Sequence, residues 1–191
     1  MAPPASVEAG RLLVASPMLS DEPFAGTVVV LLEHDDDSGS LGVVLNRPLD
    51  SPVSDVLPEW HEVANASPMF HGGPVGLESA LALGVLKTGH VAPPRFREVG
   101  NRWGLIDLDS EPEVAKASMH SVRIYAGYAG WAEGQLQAEV DEGAWYVVDI
   151  ASDSREDLFS NEPLKLWNHV MRRQRSDLRL LLHWVRDPDT N

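Results

Sequence analysis

Apolar residues recur along this chain in short runs that alternate with polar turns. Residues 27–33 form a continuous apolar, β-branched run, which is typical of a strand buried on both faces. A turn-rich segment separates this run from a second one at residues 40–45, and the pair predicts an antiparallel hairpin. Similar runs predict further strands at residues 11–15, around 69–70, and at 80–86, 103–108, 121–128 and 144–150.

Other segments carry apolar residues at helical spacing. The clearest predicted helix covers residues 163–173, where Leu164, Trp167, Val170 and Met171 form one stripe, so we expect Trp167 to be a core residue. Further helices are predicted at residues 52–60, 111–119 and 131–141. Residues 87–102 contain glycines and prolines without a clear period and are predicted to be a loop, whereas residues 178–185 fit a strand or a helix.

The order of these elements favours an α+β fold over a doubly wound parallel sheet. Strands cluster in the first half without long helices between them, so early pairings should be antiparallel. The strand–helix–strand unit at residues 121–150 could still pair in parallel. We predict a mobile tail at residues 1–9, which are rich in proline and alanine, followed by one domain at residues 10–191.

Composition narrows the function classes. The 191 residues include no cysteine, which excludes thiol catalysis, disulfide scaffolds and iron–sulfur clusters. Lys and Arg total 15 and Asp and Glu total 29, and a net charge of −14 should repel nucleic acid and anionic lipid. The chain shows neither a basic signal-peptide start nor the roughly 20 apolar residues of a membrane span. We therefore expect a cytoplasmic protein with no membrane contact and no nucleic-acid partner.

Sequence signatures of metal and nucleotide chemistry are missing. HExxH, GxSxG and the glycine-rich phosphate loops do not occur in the chain. The acidic segment at residues 35–39 departs from a calcium loop, because Ser40 and Asn46 stand where glycine and glutamate are required. We expect no metal and no cofactor.

Polar and glycine residues recur where predicted strands end. Pro48 holds Arg47 extended, so its guanidinium can bind either a structural carboxylate, Glu33 or Asp55, or an anionic ligand. We expect Arg47, the Gly72-Gly73 turn and the N-terminus of a helix at Trp131 to line one concavity. The full set of candidate ligand-binding residues is Asn46, Arg47, His71, Gly72, Gly73, Tyr128, Gly130 and Trp131.

Several stretches together resemble one known family. They are SPML at 16–19, EHD at 33–35, GVVLNRPL at 42–49, FHGGPV at 70–75, RIYAGYAGWAEGQLQAEVDEGAWYVVD at 123–149 and LWNHVMRRQ at 166–174. In order and wording they resemble the YqgE/AlgH family, whose members are often labelled transcriptional regulators. The resemblance implies a single α+β domain with a mainly antiparallel, curled sheet flanked by helices. It brings no established activity with it, so it transfers no catalytic residue.

Three functions remain open. The first is a non-catalytic binding or regulatory module for a small anionic ligand or a protein partner. The second is an enzyme of unknown class, such as a hydrolase acting through Glu33 or His34, and convergence of these residues with Arg47 and His71 in one cleft would favour it. The third is a DNA-binding regulator, which the negative charge disfavours.

Overall fold

The computed structural model describes residues 6–20, 22–174 and 178–180. These ranges contain ten strands: β1 (Leu12–Ala15), β2 (Val28–Asp35), β3 (Gly39–Val44), β4 (Pro48–Pro52), β5 (Pro68–His71), β6 (Val75–Leu86), β7 (Arg97–Gly100), β8 (Trp103–Ile106), β9 (Met119–Trp131) and β10 (Trp145–Val148). The helices are α1 (Val53–Val56), α2 (Pro112–Ser118), α3 (Gln135–Asp141), α4 (Arg155–Leu158) and α5 (Leu166–Arg172), with 3-10 turns at Pro58–Trp60 and Pro163–Lys165. Within the described ranges, no helix combines the length and the apolar character needed to cross a membrane.

The strands form one ten-stranded sheet in the order β10-β1-β2-β3-β9-β6-β8-β7, with β4 and β5 attached beside β9. Every pairing is antiparallel except that of β5 with β9. Arg97 on β7 forms an ion pair with Glu33 on β2. In a flat sheet these strands would lie roughly 24 Å apart, at about 4.8 Å per step. The sheet is therefore strongly curled. Its mainly antiparallel pairing together with the helices confirms the predicted α+β class.

Side chains alternate between a concave and a convex side of this sheet. On the concave side, alternate residues of the strands pack with α4 and α5 to form the inner cluster, which includes Leu12, Val30, Leu83, Tyr125, Leu158, Leu166 and Met171. Two outer clusters cover the convex side. The first outer cluster packs under α1 and α2 and contains Trp60, Met69, Ile106, Ala115 and Ile124, and the second packs under α3 and contains Leu13, Val29, Trp131, Leu136 and Trp145.

The predicted core position of Trp167 is confirmed. Its side chain is 7% exposed within the inner cluster, and its indole N–H donates to the Ala15 carbonyl at 2.8 Å. Leu164 was wrongly placed on the same stripe, because residues 163–165 form a 3-10 turn that leaves Leu164 72% exposed. Of the segment predicted at residues 178–185, the part beyond Leu180 lies outside the described residues.

Three expectations differ from the structure: a helix boundary, a possible parallel pairing and a loop. The helix expected from Trp131 begins at Gln135 instead, because Trp131 is still paired with Ser40 in the sheet. The unit at residues 121–150 is not a parallel pair, since β10 pairs antiparallel with β1. The expected loop at residues 87–102 contains β7, which pairs with β8. Pairing with distant segments decided the first two outcomes, whereas β7 pairs with β8, its neighbour in the sequence.

The start of the chain is packed in part. Among residues predicted as a tail, Val7 is 8% exposed and belongs to the second outer cluster. Nearby, the Gly10 N–H donates to the Leu31 carbonyl at 2.8 Å. Residues 1–5 lie outside the described ranges.

Candidate functional site

Arg47 and His71 lie side by side at the end of the β4–β5 pair. The His71 N–H donates to the Arg47 carbonyl at 2.8 Å, one step beyond the Pro48–Phe70 pairing. Residues opposite one another in an antiparallel pair point to the same face, so the two side chains share a face. Both residues are half-buried. This juxtaposition brings two of the predicted site residues together.

The Arg47 guanidinium binds a main-chain carbonyl. Its Nη2 atom donates to the Ala25 oxygen at 2.5 Å, and no ion pair joins Arg47 to a carboxylate among the described residues. The expected structural partners, Glu33 and Asp55, were wrong: Glu33 pairs with Arg97 at the other end of β2.

Asn46 holds the neighbouring backbone in place. Its side-chain oxygen accepts a hydrogen bond from the Val28 N–H at 2.9 Å, and its amide donates to the Gly26 carbonyl at 3.0 Å. The residue is only 2% exposed. These bonds fix the loop that carries the Ala25 carbonyl. Asn46 therefore fixes the position of the acceptor to which Arg47 donates.

Gly72 and Gly73 directly follow β5 and let the backbone pass close to both β3 and β9. A Cβ atom at Gly72 would lie 2.2 Å from the Gly127 carbonyl oxygen, and one at Gly73 would lie 2.2 Å from the Tyr128 carbonyl. The Gly72 N–H donates to Ala126 and its carbonyl accepts from Val44, both at 2.8 Å. The glycines therefore join β3 to β9 through tight backbone packing.

The remaining three residues lie along the end of β9. Tyr128 packs against the inner cluster, whereas Trp131 belongs to the second outer cluster and donates from its indole to Glu139 at 3.0 Å. Gly130 is exposed and pairs with Leu41. Tyr128 and Trp131 therefore lie on opposite sides of the sheet, and the predicted concavity does not gather all eight residues.

The residues proposed for an enzyme do not converge. Glu33 and His34 lie at the far end of β2 from Arg47, about five residues or roughly 16 Å along the strand. There they line a cavity of about 270 Å³, in which the His34 Nδ1 atom lies 2.8 Å from the Ser40 hydroxyl. His34 Nε2 lies 3.4 Å from the Asp36 carboxylate.

The acidic turn beside this cavity is a local structure. The Asp35 carboxylate accepts hydrogen bonds from the backbone N–H groups of Asp37 and Ser38 and from the Ser38 hydroxyl. These bonds, led by the hydroxyl, lower the pKa of Asp35. In the part of the chain that the structure describes, no three His, Asp or Glu side chains gather as metal ligands.

Sequence reasoning missed a larger cavity of about 430 Å³ between the middle of β6, the start of β7 and the end of β8. It is lined by Ala80, Leu81, Arg95, Arg97, Leu105, Ile106, Asp107, Leu108 and Asp109. Arg95 and Arg97 fall within the segment predicted to be a structureless loop, so their approach to Leu81 could not be expected. In β7 two exposed residues are followed by two half-buried ones, so no alternating pattern marked a strand there.

Comparisons with known proteins agree with this fold. The AlgH-like family model matches residues 12–179. UPF0301 proteins of Streptomyces coelicolor and Streptomyces avermitilis are 46% and 47% identical over 186 residues, covering 95% of this chain and 94% of each relative. A crystal structure of a Corynebacterium diphtheriae protein superposes with a TM-score of 0.86 at 30% identity, covering 94% of this chain and 93% of the other.

A second solved structure is more distant. The solution structure of the AlgH protein from Pseudomonas aeruginosa, also a UPF0301 protein, has a TM-score of 0.70 at 25% identity and covers 98% of this chain and all of the other. The family model, the sequence relatives and the solved folds thus agree over nearly the whole length. The chain belongs to the AlgH-like family.

Proposed function

We propose that the chain is a non-catalytic cytoplasmic binding module that holds a small anionic ligand at Arg47, beside His71. The observation that carries this proposal is the state of the Arg47 side chain. A half-buried cation in a chain of net charge −14 binds a carbonyl and no described carboxylate. A guanidinium has five N–H donors, so most of its fork is available to a carboxylate or phosphate.

The surroundings support a fixed position for this group. Pro48 restricts the Arg47 backbone, the Ala25 carbonyl anchors one nitrogen, and Asn46 fixes the loop behind it. A preorganised arginine loses less conformational entropy when it binds an anion. His71 adds an imidazole N–H on the same face. Partial burial also strengthens the attraction, because solvent screens the charge less.

Thermal unfolding with inorganic phosphate and with succinate tests this proposal. The wild-type chain should be stabilised by either anion or both, by roughly 2.7 kcal/mol at 100 times the dissociation constant. Arg47→Gln should remove the shift, and the matched control Arg172→Gln should keep it, because Arg172 is exposed on α5. If all three proteins respond alike, the anions bind elsewhere and the proposal fails.

A hydrolase is the second candidate, favoured by the 2.8 Å approach of His34 Nδ1 to Ser40 Oγ. In such an enzyme the imidazole would accept the hydroxyl proton while the oxygen attacks a carbonyl carbon. Asp36, which would orient the imidazole, has a side chain 93% exposed, so water screens it. We therefore rank this reading second and expect no labelling of Ser40 by a fluorophosphonate probe. Labelling that is lost in Ser40→Ala would reverse this ranking.

A further inference from the structure

The cavity of about 430 Å³ between the middle of β6, the start of β7 and the end of β8 has an apolar floor. Leu81 on β6 and Leu105 on β8 are both half-buried and pack against the inner cluster. The volume lies within the range of roughly 300–1,000 Å³ that is common for small-molecule sites. This floor gives a ligand an apolar surface while its other end remains near water.

Charges of both signs surround this floor. Arg97 begins β7 and Arg95 lies just before it, and Asp107 and Asp109 follow the end of β8. The four lining side chains carry no net charge together. A simple anion would meet two aspartates here and a simple cation two arginines, so the lining fits best a ligand that carries both charges.

The existing ion pairs leave these groups available. Arg97 pairs with Glu33, and both side chains are about half exposed, at 49% and 51%. Arg95 pairs with Asp107 at 2.7 Å, and its side chain is 69% exposed. Exposed pairs of this kind contribute only about 0–1 kcal/mol, so a ligand carboxylate can replace Glu33 on Arg97 at little cost.

Two further features of the residues that line this cavity are typical of a ligand site. The Asp109 side chain is exposed and forms no ion pair within the described residues, although its backbone N–H is bound by Asp107 at 2.9 Å. Arg95 adopts a left-handed backbone conformation with φ of 60°, which is uncommon for a non-glycine residue. Strained residues of this kind concentrate at ligand sites.

We propose that this cavity binds a small zwitterion with an apolar body, the chemistry of a free aliphatic amino acid. Its carboxylate binds Arg97 and its ammonium binds Asp109, while its side chain packs on Leu81 and Leu105. This site is separate from Arg47, and neither proposal depends on the other.

Calorimetric titration of the full chain with three probes tests the assignment. L-leucine has both charges, N-acetyl-L-leucine lacks the ammonium, and L-leucinamide lacks the carboxylate. L-leucine should bind, and each blocked analogue should bind roughly tenfold more weakly or worse, because a charged hydrogen bond is lost. Tighter binding of N-acetyl-L-leucine would identify an anion site and overturn the proposal, as would absence of L-leucine binding up to on the order of 10 mM.

Variants assign the two ends of the ligand. Asp109→Asn should abolish the preference for L-leucine over its N-acetyl form, and Arg97→Gln should abolish the preference over leucinamide. Asp36→Asn and Arg172→Gln are matched controls on exposed side chains away from the cavity and should keep both preferences. If neither cavity variant alters its preference while L-leucine still binds, the ligand lies elsewhere and the proposal is wrong.

Discussion

Tyr125→Phe should leave the protein at least as stable as the wild type at neutral pH. Tyr125 is fully buried in the inner cluster, and its ring lies 5.8 Å from that of Phe70. Its hydroxyl makes no hydrogen bond of normal geometry among the described residues, although the Arg123 side chain lies near it. A buried polar group without a partner costs about 1–3 kcal/mol, and phenylalanine removes that cost while keeping the ring. Loss of packing around the missing oxygen offsets part of the gain, so we expect a net change between zero and about 2 kcal/mol in favour of the variant.

The same residue makes an alkaline prediction of definite sign. Burial raises the pKa of Tyr125 from 10.0 to about 12, and the nearby Arg123 side chain opposes part of this rise through its charge and through its approach to the hydroxyl. Between these values the unfolded chain has released the phenolic proton while the folded chain retains it. Because the unfolded state then binds fewer protons, the free energy of unfolding falls as pH rises through this window. By pH 11 the wild type should lose about 1.4 kcal/mol through this group, whereas Tyr125→Phe should not.

Urea unfolding followed by tryptophan fluorescence at pH 7, 9, 10 and 11 measures both effects, since the variant keeps all six tryptophans. Other alkaline groups, including Tyr146, titrate in both proteins, so the difference between the two curves reports Tyr125. Destabilisation of the variant by more than about 1 kcal/mol at pH 7 would show that the hydroxyl has a stabilising partner. Parallel curves up to pH 11 would contradict its burial.

Three further predictions concern the fold and the charge. Trp167→Ala should destabilise the protein by roughly 3–5 kcal/mol in urea unfolding, and a loss under about 1 kcal/mol would contradict its burial. Asn46→Ala should cost about 1–3 kcal/mol by the same measurement, because the buried Val28 N–H loses its acceptor; an unchanged midpoint would refute that role. Gel shifts in about 150 mM salt should show no sub-micromolar affinity for duplex DNA, and a sub-micromolar complex would defeat the charge argument.

The hydrophobic pattern of a segment predicted its structure correctly where tertiary packing favours the same structure. The apolar run in β2 and the spacing around Trp167 gave a strand and a core position that the structure confirms. The continuation of β9 to Trp131 was missed, because the Gly-rich sequence reads as a turn until β3 pairs with it. A pairing between segments about ninety residues apart leaves no local periodicity to detect.

The candidate site was predictable only in part for the same reason. Pro48 marked Arg47 as an extended residue, and the backbone bond to His71 places the two together. The role of Gly72 in packing β5 against β9 depends on Gly127, which sequence spacing does not relate to it. The cavity beside Arg97 joins side chains from three strands, and curling of the sheet, not local sequence, brings Glu33 to its rim.

The central claim is that Arg47 holds an anion through its guanidinium fork. Calorimetric titration of inorganic phosphate into the wild type, Arg47→Lys and Arg47→Gln tests it most directly. We expect Arg47→Gln to weaken binding by roughly 2 kcal/mol or more, about thirtyfold, with the fold intact. Arg47→Lys should fall between the two, because lysine keeps the charge but loses the planar fork. Equal affinity in all three proteins, or failure of both variants to fold, would contradict the claim and leave Arg47 a purely structural residue.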